Sequence, residues 1–303
     1  MPRVSILLTC YNHLDYIPAA LDGIRSQTFQ DFEVIALDDG STDGTREYLA
    51  EQEGITVVLN EKNLGTYGTL NRGLDRATGE FIAVLNDDDV WMPEKLAKQI
   101  ALLDANPKVG LVHTEGEFID GDGKVFEGEP LGFKFPRFET GDILLDLVYE
   151  NKIIASAALF RASIVNEIGG FNENYFGSGD WEMWFRIAER HQVGCVAEKL
   201  SQYRVHGANA SHKLEKIWRD DQMLREWMLP RLEDLEERFP AARINQAKAH
   251  CWATLGTVRM LNGDARSSRA AYRASMHILP MRVKNYLRYA ATYLGKERFR
   301  KLG

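Results

Sequence analysis

Cysteine is scarce in this sequence, and long apolar runs are missing. The three cysteines, Cys10, Cys195 and Cys251, lie far apart and form neither a CxxC motif nor a Cys/His metal spacing. A small, odd number of widely separated cysteines is typical of a protein in a reducing cytosol. The best apolar stretch, Ile153 to Phe160, is well short of the roughly 18 residues that a membrane-spanning helix needs. Met1 leads directly into a strand-like segment without a secretion signal, so we expect a cytoplasmic protein.

Positive charge is concentrated at the carboxyl end. Residues 280–303 contain seven lysines and arginines against one acid, a net charge of +6, so the rest of the chain carries −13 within the total of −7. An acidic body argues against a nucleic-acid partner. The basic tail also contains Tyr286, Tyr289, Tyr293 and Phe299, which is consistent with peripheral contact with the inner face of an anionic membrane. A solvated helix end is the alternative interpretation.

Strand-like runs alternate with helical patterns through the first hundred residues. Strands are predicted at Val4 to Thr9, Glu33 to Leu37, Ile55 to Leu59 and Phe81 to Leu85, with helices between them that include Thr69 to Ala77. This alternation predicts an α/β fold with a parallel sheet covered on both faces. A long loop is predicted from Gly121 to Arg137, where Gly, Pro and aromatic residues cluster.

Beyond about Ser211 only helical patterns recur, over Ala241 to Leu261, Ala265 to Ile278 and Val283 to Leu294. We therefore predict two parts: a nucleotide-binding domain of residues 1–210 and an all-helical extension of residues 211–303. Ligands of parallel α/β sheets bind beyond the carboxyl ends of the strands. The polar loops that follow the strands of the first part are accordingly the candidate site.

Three adjacent acids follow the predicted strand that ends at Leu85. Asp87, Asp88 and Asp89 repel one another, so a folded protein keeps them at a solvated loop or around a cation. Oxygen ligands suit Mg²⁺ or Mn²⁺, with substrate phosphates and water completing the shell. A solvated turn before the next helix is the alternative. Asp38 and Asp39 follow another strand, where they form either a simple turn or an acceptor for the N3 proton of uracil or thymine.

Seven segments of the chain together carry the motifs of one known family. The early segments are VSILLTCYN (4–12), SQTFQDFE (26–33), DDGSTDGT (38–45) and NDDDVWMP (86–93). The later ones are GGFNE (169–173), DWEMWFR (180–186) and YRVH (203–206). Together they resemble the GT-A-fold inverting glycosyltransferases of family two, with the spore-coat polysaccharide type nearest. The resemblance covers residues 2 to 210, and it implies a GT-A-type, mostly parallel sheet flanked by helices.

The resemblance also implies a role for particular residues. It assigns the nucleotide to Thr9, Tyr11, Asn12, Asp38, Asp39, Asn86 and Asp87. Asp88 would be the main ligand of Mn²⁺ or Mg²⁺, with His206 near the metal or the diphosphate, and Asp180 would be the catalytic base. The implied reaction moves a sugar with inversion from a nucleotide diphosphate sugar, a UDP-sugar foremost, to a hydroxyl of a saccharide or lipid-linked saccharide. The implied setting is the synthesis of cell-surface polysaccharide or glycoconjugate.

Two positions depart from the family pattern. Many members have Asp where this chain has Asn86, which leaves the register of the carboxylates open by one residue. Many also have Glu immediately before the base, where this chain has Gly179, and Asp180 itself has the alternative role of a helix N-cap.

The motifs also bear on four other functions. A retaining transferase and a catalytically degenerate binding module with a helical interaction tail are the alternatives that remain. A dinucleotide oxidoreductase is disfavoured because no GxGxxG follows the first strand, and a sugar-nucleotide pyrophosphorylase because no Gly-rich loop with a basic residue is present.

Overall fold

The computed structural model describes residues 1–128, 139–151, 153–207, 209 and 212–301. The chain divides into two compact units. The first unit consists of Met1–Ile143 and Lys152–Asn209, and the second of Leu144–Asn151 and Ala210–Gly303. The short segment Leu144–Asn151 therefore belongs with the helical residues, a detail that the predicted division into residues 1–210 and 211–303 does not contain.

A single sheet of eight strands organises the described residues of the first unit. In chain order the strands are β1 (Val4–Cys10), β2 (Phe32–Asp38), β3 (Thr56–Leu59), β4 (Phe81–Asn86), β5 (Val90–Trp91), β6 (Val109–Ile119), β7 (Leu159–Arg161) and β8 (Gln192–Arg204). Their order across the sheet is β3-β2-β1-β4-β7-β6-β8-β5. Buried side chains of β1, β2 and β4 contribute to one apolar core that also includes residues of helices α1, α2 and α4.

The helices of the first unit connect these strands. They are α1 (Ile17–Arg25), α2 (Thr45–Ala50), α3 (Gly65–Leu74), α4 (Lys95–Ala105), α5 (Ser163–Ile168) and α6 (Gly179–Arg190). The second unit contains α7 (Leu214–Arg231), α8 (Ala241–Leu261), α9 (Ala265–Ile278), α10 (Val283–Ala291) and α11 (Lys296–Arg300). No helix of the described residues is long and apolar enough to cross a membrane.

The pairing of the strands confirms the predicted α/β class and adds antiparallel neighbours to it. β1 runs parallel to β2 and β4, β2 runs parallel to β3, and β6 runs parallel to β8. β7 lies antiparallel between β4 and β6, and β5 pairs antiparallel with β8. The register sets Thr9 of β1 opposite both Leu37 of β2 and Asn86 of β4. The loops that follow these three strands therefore leave the sheet side by side.

Two predicted segments differ from the structure. The helix expected from Thr69 to Ala77 is α3, which begins four residues earlier, at Gly65. Gly65 has φ 79°, a left-handed conformation that glycine adopts without strain, and Leu64 before it offers no side-chain cap. Of the long loop predicted from Gly121 to Arg137, residues 121–128 form a turn in which Val125 bridges Ile119, and the remainder lies outside the described residues.

The second unit is held together by buried polar groups as well as apolar ones. Arg225 of α7 is 2% exposed; its Nε donates to Asp221 Oδ1 at 2.8 Å and its Nη1 to the carbonyl of Val148. The Cys251 thiol of α8 donates to the carbonyl of Arg225. A buried charge is tolerated only when it is paired and hydrogen-bonded. These bonds therefore explain how the unit keeps an arginine in its interior.

The burial of His113 in β6 predicts that the folded protein loses stability as the pH is lowered. Burial lowers the pKa of His113 from 6.5 to about 4. Between these pH values the unfolded chain binds a proton that the folded protein does not, so stability falls as the pH is lowered through this window. We expect the free energy of unfolding of His113→Leu, measured by urea denaturation, to fall less steeply than that of the wild type, by up to about 1.4 kcal/mol per pH unit. Equal slopes would contradict the assignment.

Candidate active site

The loops after β1, β2 and β4 meet at one edge of the sheet through direct hydrogen bonds. The backbone N–H of Tyr11 donates to Asp87 Oδ2 at 2.8 Å, and the Thr9 hydroxyl donates to Asn86 Oδ1 at 3.1 Å. The backbone N–H of Asn12 donates to the Ser41 hydroxyl at 3.0 Å. The loop after β1 thus joins the other two, as the shared register of the three strands requires.

Asn12 holds the first loop in an unusual backbone conformation. It has φ 54°, in the left-handed region where asparagine is one of the few tolerated side chains. Its side-chain Oδ1 accepts a hydrogen bond from the backbone N–H of Thr42 at 2.8 Å. Both its backbone and its side chain are therefore used to fix the loop against its neighbour. The adjacent Tyr11 is 45% exposed, so its ring remains accessible from solvent.

Asp38 and Asp39 are adjacent in sequence but have different partners. Asp38 is fully buried, accepts hydrogen bonds from the backbone N–H groups of Gly40 and Ser41, and forms an ion pair with Arg46 Nε at 2.7 Å. Asp39 accepts at Oδ1 from the N–H of Leu64 at 2.7 Å and at Oδ2 from the N–H of Gly65 at 2.9 Å. Asp38 therefore holds its own turn, whereas Asp39 caps the amino end of α3.

Asn60 extends the contacts of Asp39 into the protein. Its Nδ2 donates to Asp39 Oδ1 at 3.0 Å and to the Thr69 hydroxyl at 2.9 Å, and its Oδ1 accepts from Arg72 Nη1 at 2.9 Å. Asp39 Oδ1 thus has two donors and Oδ2 has one. Because a carboxylate offers about four acceptor positions, Oδ2 retains capacity for another donor.

Asp87 is paired with a histidine that sequence reasoning did not single out. Its Oδ1 lies 2.8 Å from His13 Nδ1. Burial raises the pKa of Asp87, the charge of Asp88 adds to this, and the hydrogen bond with His13 opposes it. Burial lowers the pKa of His13, but the hydrogen bond and charge of Asp87, with smaller contributions from Asp88 and Asp43, outweigh this effect and raise it. The structure therefore places a stabilising partner beside Asp87, the second residue of the segment 86–89, which we call the acidic loop.

Asp88 and His206 come together from distant parts of the chain. Asp88 Oδ2 lies 3.0 Å from His206 Nε2 and also accepts from Asn209 Nδ2 at 3.3 Å. Asn209 Oδ1 in turn accepts the backbone N–H of His206 at 2.6 Å. The segment after β8 is consequently folded onto the acidic loop. Asn209, which holds both residues, was not among the predicted site residues.

Asp89 anchors the acidic loop inside the protein. It is 1% exposed and accepts hydrogen bonds from the Ser156 hydroxyl and from the backbone N–H of Arg204. Burial, together with the charge of Asp88, raises the pKa of Asp89 well above its ordinary value. Ser156 Oγ also accepts the N–H of Asn86 at 3.1 Å. One serine therefore contacts both ends of the segment that carries the acids.

Aromatic rings and a guanidinium surround the Asp88–His206 pair. The His206 ring centroid lies 5.1 Å from that of His13 and 5.0 Å from that of Tyr16. Arg204 Cζ lies 4.7 Å from the Tyr16 ring centroid, and its Nε donates to the carbonyl of Asp88 at 2.8 Å. These residues fix the position of the pair. No local motif marks His13 or Tyr16, because their role depends on where β8 returns to the loop.

The donor atoms of Asp88 and His206 have a spacing that suits a divalent cation. Two ligands at right angles, each about 2.1 Å from an octahedral metal ion, lie roughly 3 Å apart. The separation of 3.0 Å between Asp88 Oδ2 and His206 Nε2 fits this geometry. Within the part of the chain that the structure describes, no group of three or more His, Cys, Asp or Glu side chains could hold a metal ion. Two protein ligands fit a metal whose remaining ligands are phosphates and water.

Asp180 lies one residue inside helix α6 rather than at its cap. Ser178 occupies the N-cap position and α6 begins at Gly179. Asp180 Oδ1 accepts the backbone N–H of Trp181 at 2.7 Å and faces the Tyr67 hydroxyl, which donates from 3.4 Å. Glu182, the other acid in the first turn, is 3% exposed and binds Arg186 through both carboxylate oxygens.

Gly179 allows the ring of Tyr67 to approach α6. A Cβ atom at position 179 would lie 2.7 Å from two ring carbons of Tyr67, closer than packed atoms come. The same ring stacks on Phe171 with centroids 5.9 Å apart. The Tyr67 ring thus fills the space that a side chain at position 179 would occupy. This packing gives a physical reason for glycine where the family pattern has Glu.

Comparison with known proteins identifies the family. Residues 5–169, more than half of the chain, match the family described as Glycosyl transferase family 2. The chain belongs to this family. An uncharacterized glycosyltransferase of Haemophilus influenzae is 28% identical over 228 residues, which cover 69% of this chain and 68% of that protein. The match to a relative from Rickettsia bellii, also 28% identical, covers 69% of this chain but only 30% of that protein.

Solved structures share the fold. The 1–349 fragment of S. aureus TarS, in complex with UDP-GlcNAc, is similar with a TM-score of 0.68 and 18% identity, over 98% of this chain and 89% of that one. Mannosyltransferase PcManGT from Pyrobaculum calidifontis, in complex with GDP-Man and Mn²⁺, has a TM-score of 0.59 and 19% identity, over 98% and 85%. The GT-A-type fold implied by the sequence motifs is therefore confirmed.

The close contact at Gly179 generates a test. Gly179→Ala puts a methyl group against the Tyr67 ring, and we expect it to lower the free energy of unfolding by about 1–3 kcal/mol, the usual cost of overpacking. Urea denaturation measures the change. Gly207→Ala is the matched control, because a Cβ there meets no atom within 4 Å. Equal stability of the two variants would show that the ring moves away freely.

Proposed function

We propose that this protein transfers a sugar from a nucleotide diphosphate sugar, a UDP-sugar foremost, to an acceptor hydroxyl with inversion of configuration. The observation that carries the proposal is the convergence of Asp39, Asp88 and His206 at the carboxyl edge of the parallel strands, within a chain of glycosyl transferase family 2. The pair joins Asp88 to a histidine that follows the distant strand β8.

Asp39 and Tyr11 support binding of a pyrimidine nucleotide. Asp39 Oδ2 has a single protein donor and can accept the N3 proton of uracil, while the ring of Tyr11, which is 45% exposed, can stack on the base. TarS is described in complex with UDP and with UDP-GlcNAc. Thymine presents the same N3 proton, so a dTDP-sugar satisfies the same contacts. Thr9, Asn12, Asn86, Asp87 and Asp38 complete the proposed nucleotide site, Asp38 through the turn that it holds.

Asp88 and His206 would hold Mn²⁺ or Mg²⁺, and PcManGT is described with Mn²⁺. Such a cation would neutralise the negative charge that develops on the leaving diphosphate. The protein contributes the fixed positions of the two ligands. Asn209 holds Asp88 and the backbone of His206, and Arg204 holds the carbonyl of Asp88.

Asp180 is the proposed base, which removes the proton of the acceptor hydroxyl as its oxygen attacks the anomeric carbon. Glu182 is a weaker candidate because both its oxygens bind Arg186. The Tyr67 hydroxyl and the Trp181 N–H hold Asp180 Oδ1 in place. A single displacement with the base on the far side of the leaving group inverts the configuration at the anomeric carbon.

The acceptor and location are proposed on more general grounds. We propose a saccharide or lipid-linked saccharide acceptor, in the synthesis of cell-surface polysaccharide or glycoconjugate. The sparse, widely separated cysteines of the sequence fit a cytoplasmic protein. A peripheral contact of the basic tail with the inner face of the membrane would bring the enzyme to a lipid-linked acceptor.

The metal proposal predicts a loss of donor binding on substitution of Asp88. We expect Asp88→Ala to abolish the stabilisation of the protein by UDP-sugar with Mn²⁺ in a thermal-shift assay, because bound donor stabilises only the folded state. Sugar transfer should be lost as well. Asp22→Ala, which removes an exposed acid of α1, is the control for the change in charge. Full transfer by the wild type in excess chelator would refute metal dependence.

The assignment of Asp180 as the base predicts that its substitution impairs sugar transfer but neither folding nor donor binding. Asp180→Asn keeps an oxygen that accepts from Tyr67 and Trp181 but cannot take up a proton at catalytic pH, so melting temperature and donor affinity should stay near those of the wild type. Transfer to the acceptor should fall roughly 10²- to 10⁴-fold. Steady-state kinetics and donor titration measure the two effects separately, with Asp22→Asn as control. Wild-type turnover of Asp180→Asn would show that the base lies elsewhere.

A further inference from the structure

Helix α10 presents an apolar stripe to solvent. Val283 and Leu287 are each 68% exposed, Tyr286 is 47% exposed, and Ala290 is exposed as well. Their spacing of three, four and seven residues places them on one side of the helix. Met281 before the helix and Leu294 after it are 90% and 49% exposed. We call these six residues, 281, 283, 286, 287, 290 and 294, the α10 face.

The opposite side of α10 is the one that packs against the second unit. Asn285 is 5% exposed, and its Nδ2 donates to the Ser275 hydroxyl of α9 at 2.8 Å. Ala291 and Thr292 are buried too. A surface helix of a globular protein normally turns its apolar side inward. Here a polar asparagine points inward while valine and leucine face solvent, so core packing does not account for the α10 face.

The α10 face belongs to a basic segment of the chain. Lys284, Arg298, Arg300 and Lys301 are exposed, and the segment 280–303 carries +6 while the rest of the chain carries −13. An exposed apolar stripe on a helix with exposed basic residues, such as Lys284 of α10, is the pattern of helices that lie in the interface of an anionic bilayer. Two copies joined through this face would bring two +6 segments together, which disfavours self-association. The charge thus favours lipid over a second copy of the chain.

We propose that the α10 face is a docking surface for the interface of an anionic lipid bilayer, into which Val283, Tyr286 and Leu287 insert. Lys284 and the other exposed basic residues of the segment 280–303 contact the lipid headgroups. This inference rests on exposure and charge in the second unit and does not depend on the proposed sugar transfer. If both hold, the surface restricts the enzyme to acceptors at the membrane.

Vesicle cosedimentation tests the proposal with the whole protein. We expect binding to vesicles of phosphatidylglycerol mixed with phosphatidylcholine, weakened by salt, and little binding to pure phosphatidylcholine. Val283→Gln/Leu287→Gln should lower the partition coefficient about tenfold or more, because two apolar side chains no longer insert. Lys284→Gln/Arg298→Gln should lower it about fivefold for each charge removed. Leu59→Gln changes an apolar residue of β3 that is 48% exposed and should have no effect.

Two results would overturn the proposal. One is equal binding of the wild type and Val283→Gln/Leu287→Gln to the anionic vesicles while both keep the same melting temperature. The other is a wild-type dimer in sedimentation velocity that Val283→Gln/Leu287→Gln dissociates, which would make the α10 face an interface between copies. Neither measurement involves turnover, so failure here leaves the proposed transferase activity standing, and loss of transfer in Asp180→Asn leaves membrane binding standing.

Discussion

The parallel pairing of β1 with β2 and β4 is the constraint on which the site depends. Since Thr9 lies opposite both Leu37 and Asn86, the three strands end level with one another. Hydrogen bonds from Thr9, Tyr11 and Asn12 then fasten the following loops together. A slip of one residue in either pairing would turn every side chain of the shifted strand to the opposite face of the sheet. The buried side chains of these strands therefore fix the geometry of the polar edge.

The three carboxylates of the acidic loop have different partners and different roles. Asp89 is buried and binds Ser156 and the backbone of Arg204, which anchors the loop. Asp87 is paired with His13, and Asp88 faces His206. Three adjacent charges are tolerable because each has its own polar partners and because burial raises the pKa of Asp87 and Asp89. Two of the three carboxylates are therefore paired with imidazoles, and the third is buried among neutral donors.

Local patterns were sufficient for the parallel part of the fold and for the loops that carry the acids. Apolar runs alternating with helical periodicity predict β1 to β4, and polar clusters directly after strands mark their carboxyl ends. The pattern could not predict β7, because three residues carry no periodicity and their place between β4 and β6 is set by long-range pairing. The amino end of α3 was missed because its cap, Asp39, comes from a different loop.

Side-chain partners were the least predictable part of the candidate site. His13, Tyr16 and Asn209 acquire their positions only when the end of β8 returns to the acidic loop, and nothing in their local sequence distinguishes them from surface residues. Asp38 and Asp39 look equivalent in sequence, yet only Asp38 forms an ion pair with Arg46. The role of Tyr67 likewise depends on the absence of a side chain at Gly179, more than a hundred residues away.

The bonds from Leu64 and Gly65 to Asp39 have a consequence for changing the nucleotide that the enzyme accepts. The Asp39 carboxylate, which we propose as the acceptor for the pyrimidine, also holds the amino end of α3, the helix that carries Tyr67 to Asp180. Replacing Asp39 to suit a purine would leave two backbone N–H groups without their acceptor, at a cost of about 1 kcal/mol or more for the lost cap. Redesign of donor preference therefore has to supply a new acceptor for α3 before it can alter the base, and single substitutions at this position will confound recognition with folding.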